Sequence, residues 1–182
     1  MPENGHSGDD IEKRAKELIA KIKEKDTERR KLAQTIPRIL ILGNHDDKSI
    51  LYKIRDEIKN QGHYAFLLDE LNPYLDDVAV GDCTKEEKCI EYASIILMIE
   101  SDKSGVVSEN MIIRNNPDHA QKTTLFVKDA DFEDIVKIND ERRMHHSKII
   151  PYATIEDLIR KAVLWGVREC YRLADESIRG IN

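Results

Sequence analysis

The sequence predicts an α/β three-layer sandwich: a five-stranded parallel sheet with helices on both faces and a helical arm in front. Two observations carry this. Short continuous apolar runs (Arg38-Ile-Leu-Ile-Leu42, Tyr64-Ala-Phe-Leu-Leu68, Ser94 to Ile99, Thr123-Thr-Leu-Phe-Val127, Lys148-Ile-Ile-Pro-Tyr152) suit strands buried on both faces. Between them lie segments whose apolar residues recur every three or four positions, the spacing of an amphipathic helix. Five such alternations predict a parallel sheet with right-handed crossovers.

Totals bound the rest. The 182 residues fit one domain with an appendage, and 40% hydrophobic content supplies one modest core. Charged residues reach 35% and the net charge is -6, so attraction to nucleic acid or anionic lipid is not expected. No apolar run approaches the roughly 20 residues needed to cross a bilayer, and Met1-Pro-Glu-Asn-Gly5 lacks the order of a signal peptide. Three cysteines, Cys83, Cys89 and Cys170, without metal-type spacing, predict structural thiols in a reducing, cytoplasmic setting.

Element by element, residues 1–8 read as disordered, being rich in Gly, Pro, Asn and Ser. Residues 9–35 read as a charged helical arm with an apolar stripe of Ile11, Ala15, Leu18, Ile22 and Leu32. Lys25 and Arg29 interrupt the stripe, which argues against a long coiled coil. The arm is expected to lie against the domain or a second subunit. A homodimer through the arm or the last helix is the expected assembly.

The domain proper is expected over 36–182. After the first strand ends at Gly43, Asp46 or Asp47 caps a helix whose apolar face is Ile50, Leu51, Ile54 and Ile58, stopped by Gln61-Gly62. The segment from Asp69 to Asp82 is polar and is expected to cross the mouth of the crevice. Thr84-Lys-Glu-Glu87 is a capping-box pattern that predicts a helix start, with Ile90 and Ala93 inward. A helix over about 105–114 should close at Asn115-Asn116-Pro117, and another is expected from Asp131 to about Met144 with Phe132, Ile135 and Val136 inward. Thr154-x-x-Asp157 opens the last helix, with Ile155, Leu158, Ile159, Ala162, Val163, Val167 and Cys170 as its buried face, and Trp165 and Gly166 at a tight helix–sheet contact. The commonest five-strand order, the flavodoxin-like 2-1-3-4-5, has its switch point between strands one and three, where ligands bind.

Two loops should converge there: Gly43-Asn-His-Asp-Asp47, and Glu100-Ser-Asp-Lys-Ser-Gly105 leading to Glu109. Asp69 and Glu70 should stand at the rim. One glycine followed by two acids is neither a dinucleotide fingerprint nor a Walker loop, so phosphate at the first helix is disfavoured. Ser104 and Gly105 offer free backbone N–H groups at the start of the next helix, with Lys103 adding charge, and make the better anion site. Glu109 has three readings: a carboxylate favoured by the helix dipole, a ribose ligand, or a stabiliser of an oxocarbenium-like centre. His45 is expected to be a turn histidine. With Asp46 and Asp47 it makes a poor metal set because three adjacent residues seldom converge on one ion, so no metal is predicted. His145-His146 should lie at the opposite, amino-terminal edge of the sheet. A receiver domain would need an acid pair ending strand one and an aspartate ending strand three; Asp46 and Asp47 fall too far into the loop, and strand three ends in Glu100.

The run Ile39-Leu-Ile-Leu-Gly-Asn-His-Asp-Asp47, then Phe66-Leu-Leu-Asp-Glu-Leu-Asn-Pro73, then Glu109 on the helix after strand three, resembles the TIR-like predicted nucleotide-binding domains of prokaryotes. The broader relatives are the nucleoside deoxyribosyltransferase-like proteins. The resemblance covers about residues 38–150. It implies a site for NAD or a related nucleotide, as substrate or ligand, with no other cofactor required. It further implies that Glu109 contacts the ribose and supports cleavage of the N-glycosidic bond. Ligand-binding positions would be Gly43, Asn44, His45, Asp46, Asp69, Ser101, Ser104 and Gly105. The chain departs from the family pattern at Gly43, where a histidine is usual, at Asn44, where a glycine is usual, and at Glu109-Asn-Met111, where Glu-Leu-Gly is usual. The alternative function is therefore a non-catalytic nucleotide-sensing or self-association module of the same fold.

Overall fold

The structure is a computed structural model that describes residues 8–35, 37–43, 48–70, 82–100, 112–113, 115–141 and 148–180. Its elements are α1 (Gly8–Thr35), β1 (Arg38–Leu42), α2 (Lys48–Asn60), β2 (Tyr64–Leu67), α3 (Asp82–Tyr92), β3 (Ile95–Ile99), α4 (Pro117–Gln121), β4 (Thr123–Lys128), α5 (Phe132–Glu141), β5 (Lys148–Tyr152) and α6 (Ile155–Gly180). A 3₁₀ turn, Asp129–Asp131, leads into α5.

The five strands form one parallel sheet of order β2-β1-β3-β4-β5, the order read from the sequence. Alternation along each strand divides the core into two layers. Ile39, Ile41, Ala65, Leu67, Ile95, Leu97, Ile99 and Phe126 face α1, α2 and α6. Leu40, Leu42, Phe66, Ile96, Met98, Leu125 and Val127 face α3 and α4 on the other side. The strands read as continuous apolar runs because both faces are covered.

Local chemistry sets the helix ends. Gly62, at φ +86°, closes α2 in a Schellman motif: its N–H bonds Lys59 O at 2.9 Å and the His63 N–H bonds Ile58 O at 3.3 Å. At the start of α6 the Asp157 N–H donates to Thr154 Oγ1 at 3.2 Å, and the Ala153 N–H donates to the Asp157 carboxylate at 3.2 Å. Gly166 gives α6 its close approach to the sheet: a β-carbon there would stand 3.2 Å from Leu97 Cδ1 and 3.4 Å from both Ile39 Cδ1 and Ile58 Cδ1. Beside it the Trp165 indole N–H donates to Thr124 Oγ1 at 2.7 Å.

Several expectations are corrected. α3 begins at Asp82, so Thr84 lies inside the helix; a capping-box pattern locates a start within a turn, not to the residue. Asn116 opens a helix the sequence reading lacked: Pro117 occupies its first turn, and Asn116 accepts the Asp118 N–H at 3.0 Å. Ile155, expected on the buried face, is 49% exposed, because it precedes the first turn that meets the sheet, and that turn starts at Leu158. In α1 the predicted stripe divides. Leu32 and Ala33 pack on the core beside α6, whereas Leu18 and Ile22 are exposed. Residues 1–7 and His145-His146 lie outside the described residues.

The arm docks through its last two turns. His63 Nδ1 donates to the Ala33 carbonyl at 2.9 Å, and Arg29 pairs with Asp175 at 2.6 Å while stacking over Tyr171. Among the described residues no helix is long and apolar enough to cross a membrane.

Candidate functional site

In the sheet Leu42 of β1 is in register with Met98 of β3, and Ile41 with Leu67 of β2. The chain therefore leaves β1, β2 and β3 along one sheet edge, with β1 in the middle. This is the topological switch point of an open α/β sheet. Of the predicted site residues the structure describes two, Gly43 and Asp69. Asn44, His45, Asp46, Ser101, Ser104, Gly105 and Glu109 lie outside the described residues.

Gly43 and Asp69 line one hollow. It has a volume of about 20 Å³, and Lys48, Leu51, Leu67 and Leu68 help to form it. That is room for roughly one water molecule. Gly43 is buried, and its lack of a side chain is a packing requirement. A β-carbon would come 2.9 Å from Leu51 Cδ2 and 3.3 Å from Ile99 Cβ. A histidine, usual at this position in the resemblance, would need the Leu51 side chain to swing aside and Ile99 to shift slightly.

Asp69 follows β2 at the start of a helical turn over 68–70. Its Oδ2 accepts hydrogen bonds from Lys48 Nζ at 3.0 Å and from the Tyr52 hydroxyl at 3.1 Å. Oδ1 is buried and has no hydrogen-bond partner among the described residues. Partial burial opposes ionisation of Asp69, but the bonds from Lys48 and Tyr52 and the lysine charge outweigh it, so the carboxyl sits below its ordinary range. The same bond raises the Lys48 ammonium, and the tyrosine hydroxyl is raised as well.

Glu70 extends the network. Arg55 donates to its Oε1 at 2.7 Å, the Leu67 N–H donates to its Oε2 at 2.9 Å, and the Arg55 guanidinium lies over the Tyr52 ring at 4.6 Å. Opposite its apolar face α2 carries a polar one. Lys48, Tyr52, Arg55 and Lys59 follow a four-three-four spacing that puts them on one helix face, and that was the signal for this polar partner to Asp69-Glu70.

Among the described residues no group of three or more His, Cys, Asp or Glu side chains could hold a metal ion. Cys89 and Cys170 are buried free thiols, each pushed upward first by burial and then by a neighbouring glutamate, Cys170 to about 12. Neither is a nucleophile at neutral pH. No protein-family model matches this chain, and no curated protein matches it significantly.

Proposed function

We propose that the chain is a TIR-like nucleotide-binding domain whose ligand, NAD or a related nucleotide, lies over the shared carboxyl edge of β1, β2 and β3. The observation that supports this reading is the hollow holding both Gly43 and Asp69 at the switch point, with an ionised carboxylate and a lysine at its wall. In this reading Asp69 accepts a ribose hydroxyl, and Lys48 lends positive charge to the nucleotide phosphates. Glu109 stands near C1′ of the nicotinamide ribose. As the bond from C1′ to the ring nitrogen breaks, its electron pair leaves with nicotinamide. The carboxylate stabilises the oxocarbenium-like centre, and water adds to C1′, giving ADP-ribose and a proton.

The test is release of nicotinamide from NAD by the purified chain, compared with Glu109→Gln. Turnover abolished in the variant supports catalysis by Glu109. Equal turnover in both removes Glu109 from the chemistry. The second reading, binding without turnover, draws support from Asp69 being already paired with both Lys48 and Tyr52, in a hollow that admits about one water. It predicts thermal stabilisation by nucleotide with no nicotinamide release, amounting to about 2.7 kcal/mol at a hundredfold excess over Kd.

A further inference from the structure

α1 is 28 residues long, about 42 Å at the usual helical rise, and the contacts that tie it to the sheet domain among the described residues lie in its last part. Arg29 reaches both Tyr171 and Asp175, and Ala33 is held by His63, which stacks edge-on against Tyr171. Moving toward the amino end of α1 thus moves toward the carboxyl end of α6, which finishes at Gly180. Every residue from Lys16 to Lys25 is exposed. Among them are Leu18 at 60%, Ile19 at 52% and Ile22 at 58%, three of the large apolar side chains that the described surface leaves in water.

An unsupported helical segment of this length is marginal in water; helices in proteins hold mainly by packing an apolar face. Ile11, Ala15, Leu18 and Ile22 follow four-three-four steps, the seam of a two-helix coiled coil, with Ile19 on its flank. The seam ends where Lys25 and Arg29 take over, the point at which α6 begins to serve as partner. The charges decide what completes it. If two copies of the seam lie parallel and in register, Lys21 of each copy falls five residues before Asp26 of the other, the spacing at which flanking residues of a coiled coil meet; Asp26 also pairs with Arg30 of its own helix at 2.9 Å, an exposed pair that leaves it accessible to a second cation. The attraction occurs twice by symmetry. An antiparallel pair would set Lys21 of the two copies on the same side.

We infer that the outer half of α1 is a self-association surface: a second copy of this chain packs on Leu18, Ile19 and Ile22 in a short parallel coiled coil, which carries the two domains at its carboxyl end. The inference is independent of any nucleotide.

Sedimentation equilibrium of the full chain across a concentration series tests it. The wild type is expected to approach dimer mass. Leu18→Ala with Ile22→Ala keeps strong helix formers and removes only the apolar surface, so it should weaken association about 100-fold or more. Lys21→Glu should weaken it as well, and adding Asp26→Lys to Lys21→Glu should restore it. Urea unfolding of each variant, unchanged from wild type at low concentration, shows that the domain is intact. A wild type that stays monomeric throughout, or a dimer that survives the double alanine variant, overturns the surface. Failure of the charge reversal to restore association overturns the parallel register.

Discussion

Gly166 of α6 rests on Leu97 of β3 so closely that a β-carbon at 166 would stand 3.2 Å from Leu97 Cδ1, with Ile39 and Ile58 close behind. All three neighbours are the ends of flexible side chains. Alanine gains up to about 1 kcal/mol in helix propensity and spends most of it on displacing them, so Gly166→Ala should unfold within about 1 kcal/mol of wild type. Valine adds two methyls that the sheet has no room for, and Gly166→Val should lose about 2–3 kcal/mol. Urea unfolding of both variants checks the ordering; a valine variant as stable as wild type would contradict the packing.

That glycine was legible in the sequence because it sits inside an apolar helical stripe, next to the one tryptophan. Burial of the strands on both faces was legible in runs such as Ile39 to Leu42, and their order followed from the commonest arrangement of five such strands. The ends of elements were less so. Thr84 and Asn116 both carry capping chemistry, yet one lies inside a helix and the other starts a helix where an end was expected. The same side chain suits either place, and tertiary packing decides. At the site, Asp69 was visible as an acid after a strand. Its partners Lys48 and Tyr52 were marked by their helical spacing alone, which does not name a partner, because polar residues on a helix face ordinarily point to solvent; what brings these to Asp69 is the pairing of β1 with β2.

Gly62 holds φ +86°, where an L side chain is strained, and a β-carbon there would also meet Gln34 Nε2 at 2.7 Å. The glutamine end can swing aside; the backbone cannot. Gly62→Ala should therefore lose about 1 kcal/mol or somewhat more, and Gly62→Asn less, since asparagine tolerates the left-handed region. Thermal unfolding of the two variants gives the ranking, and equal melting temperatures for alanine and wild type would be incompatible with this turn.

Cys89 and Cys170 are 1% and 0% exposed, and burial raises both thiols, the latter to about 12. At pH 8 the thiolate of Cys170 is a fraction on the order of one in ten thousand. Iodoacetamide followed by peptide mapping should leave both unmodified in the native protein and modify both in urea. Native labelling of Cys170 would mean that α6 opens away from the sheet.

Asp157 is held at about 2, chiefly by hydrogen bonds from Lys161 and Arg160, with the Ala153 N–H adding to them. Its folded value lies below its unfolded one of about 3.9, so its contribution is complete above about pH 4 and is lost as pH falls toward about 2. Wild type should exceed Asp157→Asn in stability at pH 7, and the gap should shrink toward pH 2. A gap independent of pH would assign the residue's effect to shape and not to charge.

Asp69 separates stability from binding. Its side chain is 36% exposed and that of Lys48 43%, so the pair contributes below about 1 kcal/mol to folding, and Asp69→Ala should unfold close to wild type. If the carboxylate accepts a ribose hydroxyl, the same variant should lose most of the thermal stabilisation that NAD gives the wild type, because a buried hydroxyl of the ligand is left without its acceptor. Lys48→Met serves as the control. It removes the charge that holds Asp69 low and leaves the acceptor in place, so the NAD-induced shift should diminish without vanishing. An Asp69→Ala protein that responds to NAD as fully as the wild type would place the ligand elsewhere on the sheet edge.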